Sequence, residues 1–194
     1  MQIEELKQII YSSSKMNDNI EKNAYLIEFY HITNELLNHP MVEQMKHYRQ
    51  HYNTSCYEHC IEVAYWSYVF CKKHGLDYVS IARAGLLHDL FLYDWRHSKK
   101  RIGGWHAFLH PKIALENANK LCNLNEKEQD IIFNHMWPVT FFRFPKYKET
   151  YVVTFADKMS AMKSCYHYYQ STIFHKKLLR YAYVFFAFTI FKVI

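Results

Sequence analysis

Apolar residues recur at helical spacing through most of this chain. In "SCYEHCIEVAYWSYVFCKKHG", Ile61, Ala64, Tyr65 and Tyr68 share one face, which predicts a helix with His59 near its start. Gly75 is placed to cap its far end. The next run, "ARAGLLHDLFLYDW", carries Ala82, Leu86, Leu87 and Leu90, with His88 and Asp89 near the C-terminal end of a second helix. Pro111 suits the first turn of a third, running to about Cys122. Asn125 followed by Glu128 is a capping pair for a fourth, which stops before Pro138. "KETYVVTFADKMSAM" predicts a fifth, with Asp157 inside it. Upstream, residues 1–50 read as two or three helices, polar on one face, with breaks at "SSSKMNDN" and near Pro40.

Composition supports the same picture. The 194 residues are half apolar and 18% aromatic, with only four glycines and four prolines, so an all-α fold is expected: a single-domain helical bundle. Residues 1–50 are expected to pack on a core formed by residues 51–165. Residues 166–194 are expected to belong to the same domain or to an interface. Within that last segment "YAYVFFAFTIFKVI", Tyr181 to Ile194, holds one charge, Lys192. It is shorter than the roughly 20 residues that span a bilayer. A place in the core or in a homo-oligomer interface is therefore expected, with a membrane anchor as the alternative. The N-terminal "MQIEELKQII" is amphipathic and acidic, unlike a signal peptide.

The net charge of +6 is scattered, and its densest patch is "WRHSKKR" on an expected loop. Arg96 and Lys99 there make either a solvated loop or a rim that attracts phosphate. No nucleic-acid-binding motif appears, so a stable nucleic-acid complex is not expected. An odd count of five cysteines fits reduced thiols and a cytoplasmic protein. Cys56 and Cys60, four apart beside His59, are expected to be small buried apolar residues rather than zinc ligands.

Thirteen histidines are present, and a subset forms a pattern. His59, the His88–Asp89 pair, His110 and His135 each lie at or near the end of a separate expected helix, and Asp157 lies on a further one. Helices of a bundle can bring such positions to one cavity. An imidazole buried beside a carboxylate is costly unless both have partners. Neutral imidazoles with carboxylates suit divalent metals. The alternative is a His–Asp hydrogen bond in a packed core. His106, four before His110, is a candidate substrate contact. Asp94, five beyond Asp89, is placed either to orient a ligand or donate a proton, or to cap a turn.

The order H…HD…H…H…D resembles that of the HD-domain superfamily of metal-dependent phosphohydrolases. It is carried by His59 in "SCYEHCIEVA", His88 and Asp89 in "LLHDLF", and Asp157 in "TFADKMSA". His110 in "HAFLHPKIALENA" and His135 in "IIFNHMWP" resemble the further histidines of its multi-metal branch, which includes the HD-GYP phosphodiesterases. The resemblance covers about residues 50–165. It implies an all-helical core in which His59, His88, Asp89 and Asp157 hold one divalent ion. His110 and His135 would help hold a second, with Asp89 bridging. Manganese, iron, nickel, cobalt, zinc and magnesium are not distinguished.

The implied activity is hydrolysis of a phosphoester or phosphodiester in a nucleotide or similar small molecule, through a metal-bound hydroxide. Asp89, Lys158 and Asp94 are the expected catalytic groups, and Arg96, Lys99 and His106 the expected substrate contacts. The alternatives are a metal-containing nucleotide-binding or regulatory module with little catalysis, and a structural or interaction protein. The chain departs from the HD-GYP type: His135 is followed by Met136-Trp137-Pro138, and no Gly-Tyr-Pro follows. "LFLYDW" also stands where a glycine and a lysine usually follow the doublet, which argues against a cyclic-di-GMP substrate.

Overall fold

A computed structural model of the chain describes residues 2–11, 20–51, 54–97 and 104–170. Among these residues there are eight α-helices: α1 (Ile3–Tyr11), α2 (Ile20–Leu37), α3 (Pro40–Glu43), α4 (Cys56–Lys73), α5 (Tyr78–Leu87), α6 (His106–Leu121), α7 (Glu126–Asn134) and α8 (Lys148–Tyr169). The only strands described are β1 (Arg49–His51) and β2 (Thr54–Ser55), a two-stranded antiparallel ribbon leading into α4. The all-α expectation holds. Lys99 and the aromatic stretch from Tyr181 onward lie outside the described residues. Among those described, no helix is long and apolar enough to cross a membrane.

Local chemistry sets where the helices start and stop. Ser55 and Glu58 form a capping box, each bonding the other's backbone N–H, and so open α4 one turn before His59. Asn125 and Glu128 do the same for α7, as their spacing predicts. Asp77 accepts from the Ser80 N–H to open α5. Gly75, with φ of 66°, follows the last residues of α4 and lets the chain turn away.

Two boundaries differ from expectation. α5 ends at Leu87, so His88 is its cap residue and Asp89 lies just outside. α6 begins at His106, which leaves Pro111 inside it instead of in its first turn. The N–H groups of Phe108 and Leu109 already bond to the Trp105 carbonyl, nucleating the helix upstream. Pro111 then forfeits a single backbone bond near the helix start, where the ladder is least complete.

The core is centred on α4 and α5. Buried Ile61, Ala64 and Tyr68 of α4 pack with Ile81, Ala84 and Leu86 of α5. Phe29 of α2 meets Tyr65 and Tyr68 edge-on or tilted, with ring centroids 5.4 and 5.5 Å apart. Polar links join the outer helices. Arg83 Nε of α5 donates to Glu128 of α7 at 2.6 Å. Asp130 of α7 accepts from the Thr150 hydroxyl of α8 at 2.5 Å and from the Lys146 N–H.

α4 and α5 approach closely at Gly85. A Cβ built there would lie 2.9 Å from Ala64 Cα and 3.2 Å from Ala64 Cβ. Only glycine permits this separation, and it sets the distance between the helices that deliver His59 and His88. Gly85→Ala gains up to about 1 kcal/mol in helix propensity. Overpacking against backbone costs roughly 1–3 kcal/mol. The expected net result is a Tm lowered by a few degrees in a thermal melt, without loss of helix content.

Candidate metal centre

Five elements converge on one point. His59 comes from the first turn of α4, His88 from the cap of α5 with Asp89 just beyond it, His110 from α6, His135 from the cap of α7, and Asp157 from the middle of α8. His59, His88, Asp89, His110 and His135 are all at most 4% exposed. The Asp157 side chain is 13% exposed.

The atoms fall into two sets that share Asp89. In the first, His59 Nε2 lies 3.1 Å from Asp157 Oδ1 and 3.9 Å from Asp89 Oδ2. His88 Nε2 lies 3.6 Å from Asp89 Oδ2 and 3.9 Å from Asp157 Oδ1. In the second, His110 and His135 Nε2 lie 3.1 and 3.5 Å from Asp89 Oδ1. Within each set one donor atom per residue lies within 4.8 Å of all the others.

The tautomers can be assigned from the other ring nitrogens. His88 Nδ1 lies 2.7 Å from the Gly85 carbonyl, His110 Nδ1 2.9 Å from that of His106, and His135 Nδ1 2.8 Å from that of Ile132. A carbonyl only accepts, so each Nδ1 carries the proton. His59 Nδ1 lies 3.2 Å from Ser160 Oγ, whose own hydroxyl donates to Glu62 at 2.7 Å. Ser160 therefore accepts from His59. In their neutral forms all four imidazoles turn an unprotonated Nε2 inward.

Lone pairs thus face lone pairs. His110 and His135 Nε2 approach to 3.0 Å with no proton assigned between them. His88 Nε2 and Asp89 Oδ1 are buried without a hydrogen-bond partner. Such groups are costly unless a cation joins them. Two sets of imidazole and carboxylate donors fit divalent metal ions, and outer groups that fix the Nδ1 protons are what such centres require.

The family model for the HD domain matches residues 56–162. The chain belongs to the HD-domain family. Its members are in general metal-dependent hydrolases. No curated protein and no solved structure matches the chain.

Electrostatics of the HD centre follow from its burial. Burial would raise Asp89, but His88, His110 and His135 hold its carboxyl below the usual range. Asp157 behaves likewise, with His59 and His88 overcoming its burial. His135 is pushed down to about 3, first by burial and then by His88 and His110. For His88, burial works against a charge, while the carboxylates of Asp89 and Asp157 favour it and hold the imidazole above its ordinary value. A metal ion bound there would therefore compete with a proton for that nitrogen. Burial pushes the Cys56 and Cys60 thiols up, so both stay neutral beside the HD centre, in keeping with an apolar role.

Around the HD centre, the other expected residues divide. His106 stacks on His110, with centroids 4.4 Å apart and planes 20° apart, and Trp95 stacks on His106 at 5.4 Å. The Arg96 guanidinium lies over Trp95 at 5.2 Å. Arg96 and His106 are thus in line with a metal-facing imidazole. Burial, then His110, pushes His106 down to about 4, keeping it neutral. Asp94 is exposed, and its carboxylate accepts from the Arg96 N–H at 3.0 Å, which caps the turn there. Lys158 Nζ donates to the carbonyls of Thr154 at 3.3 Å and His135 at 3.5 Å, tying α8 to the end of α7.

Four residues were not anticipated. Ser160 and Glu62 form a relay behind His59, with Lys163 paired to Glu62. Gln50 Nε2 donates to Asp89 Oδ2 at 2.5 Å. Ser160 stands three residues after Asp157, and so on the same helical face, which is the one signal in the sequence that could have found it.

Ser160→Ala removes the acceptor that orients His59 while Glu62 keeps Lys163. It is expected to weaken metal binding about 10–100-fold with little change in helix content, as read by titration calorimetry. A raised His88 means that binding displaces a proton. Affinity should therefore fall as pH is lowered, by about tenfold per pH unit per displaced proton. Calorimetry in buffers of different ionisation enthalpy reads that release directly.

Proposed function

We propose that the protein is a metal-dependent phosphohydrolase that cleaves a phosphoester or phosphodiester bond in a nucleotide-like small molecule. The observation that carries this reading is the inward convergence of four histidine Nε2 atoms on two carboxylates, each ring anchored from behind through Nδ1. Divalent ions held there lower the pKa of water toward neutrality and neutralise charge on phosphoryl oxygens.

The chain's own residues would divide the work. His59, His88 and Asp157 would hold one ion and His110 and His135 another, with Asp89 contributing to each set. Asp89 and Asp157 stay ionised and supply the negative charge that a cationic centre needs. Their burial keeps bulk water from screening it. Substrate would meet the Arg96–Trp95–His106 stack, whose exposed Arg96 offers a cation for phosphate. Lys158 is assigned an electrostatic role through the end of α7, since its ammonium binds the His135 carbonyl.

The test is metal analysis of purified protein together with a phosphoester panel. Wild type is expected to carry divalent metal and to hydrolyse at least one substrate. Asp89→Ala is expected to lose both, by more than the 10–100-fold typical of an outer contact. Retention of metal and turnover in Asp89→Ala sinks the reading.

A further inference from the structure

Gln50 lies on β1, before the residues that the family model matches, yet it reaches the HD centre. It is 7% exposed, and its Nε2 donates to Asp89 Oδ2. The backbone just before it is pinned at two points. Cys56 N–H donates to the Tyr48 carbonyl at 2.8 Å, and the Trp95 indole N–H to that of Arg49 at 3.1 Å. The amide orientation is also decided, because the reverse flip would set Oε1 against a carboxylate.

That orientation has a cost. Gln50 Oε1 is buried with no hydrogen-bond partner. Leaving a buried acceptor unmatched costs roughly 1–3 kcal/mol. Packing alone does not account for a glutamine here, whereas the bond to Asp89 does.

The Asp89 carboxylate must keep Oδ1 on the His110–His135 side and Oδ2 on the His59–His88 side to serve both sets. Its terminal torsion is intrinsically broad and enforces no such division. A carboxylate oxygen has two lone pairs, so Oδ2 can accept from Gln50 and still face an ion. We propose that Gln50 is a positioning residue of the metal centre, supplied from outside the HD core, which fixes the rotation of Asp89 so that one oxygen faces each ion site. The inference rests on the metal-binding reading above.

The test compares wild type with Gln50→Met, which keeps the side chain's length but removes both polar atoms. Two readouts are taken on the full chain: the Tm of metal-free protein, and Mn²⁺ affinity by calorimetry. Expected are a metal-free Tm within a few degrees of wild type and Mn²⁺ binding weakened about 10–100-fold. Should Gln50→Met fail to fold, Gln50→Ala is measured in the same two ways. Wild type that takes up no Mn²⁺ overturns the metal reading and this assignment with it. Wild type that binds while the variant binds equally well overturns the Gln50 assignment alone. So does a variant whose weaker binding merely follows a lowered metal-free Tm.

Discussion

Each imidazole of the centre is held from behind by the proton on its Nδ1, and the remaining geometry follows from those four bonds. For His88 and His135 the acceptor is the carbonyl three residues back, in the last turn of α5 and of α7. Carbonyls in a last turn have no partner further along the helix. The histidine that ends the helix satisfies one of them, and its ring is thereby aimed. Helix termination and ligand orientation are the same local event, used twice. His110 reaches back to His106 in the same manner from inside α6, and His59 uses Ser160 of a different helix.

This arrangement explains why the outline of the centre was legible in sequence. Apolar periodicity located the helices, and the polar residues interrupting it at His88, Asp89 and His135 had few inexpensive roles other than ligation. Capping chemistry was equally local, so Asn125 with Glu128 was readable as a helix start. Pro111 misled because its fixed φ suits the inside of an early turn nearly as well as the first position, and the residues upstream decided the start. Asp94 illustrates the limit of spacing arguments. Five residues beyond Asp89 is one position on a helix and a different one on the turn that actually follows.

Gln50, Glu62 and Ser160 were not legible because their significance depends on pairings made only in three dimensions. Glu62 and Ser160 are 98 positions apart, and Gln50 and Asp89 39 apart. A glutamine on a short strand or a serine on a helix has no distinctive chemistry until its partner is known. Gly85 is the same kind of case: a glycine inside a helical run reads as a weakness until Ala64 is found against it.

The separation of the ligands along the chain has a mechanical consequence. His59 and Asp157 are 98 residues apart, and the other ligands all lie between them. An ion gripped by both closes nearly the whole HD core into a ring. A covalent link across a loop of about 100 residues is worth roughly 4.7 kcal/mol in a chain-entropy estimate. Coordination would supply a reversible version whose strength rises with the free ion concentration. A loaded centre would therefore also be a fastener, and the resistance of this fold to unfolding would become a gauge of how much metal surrounds it.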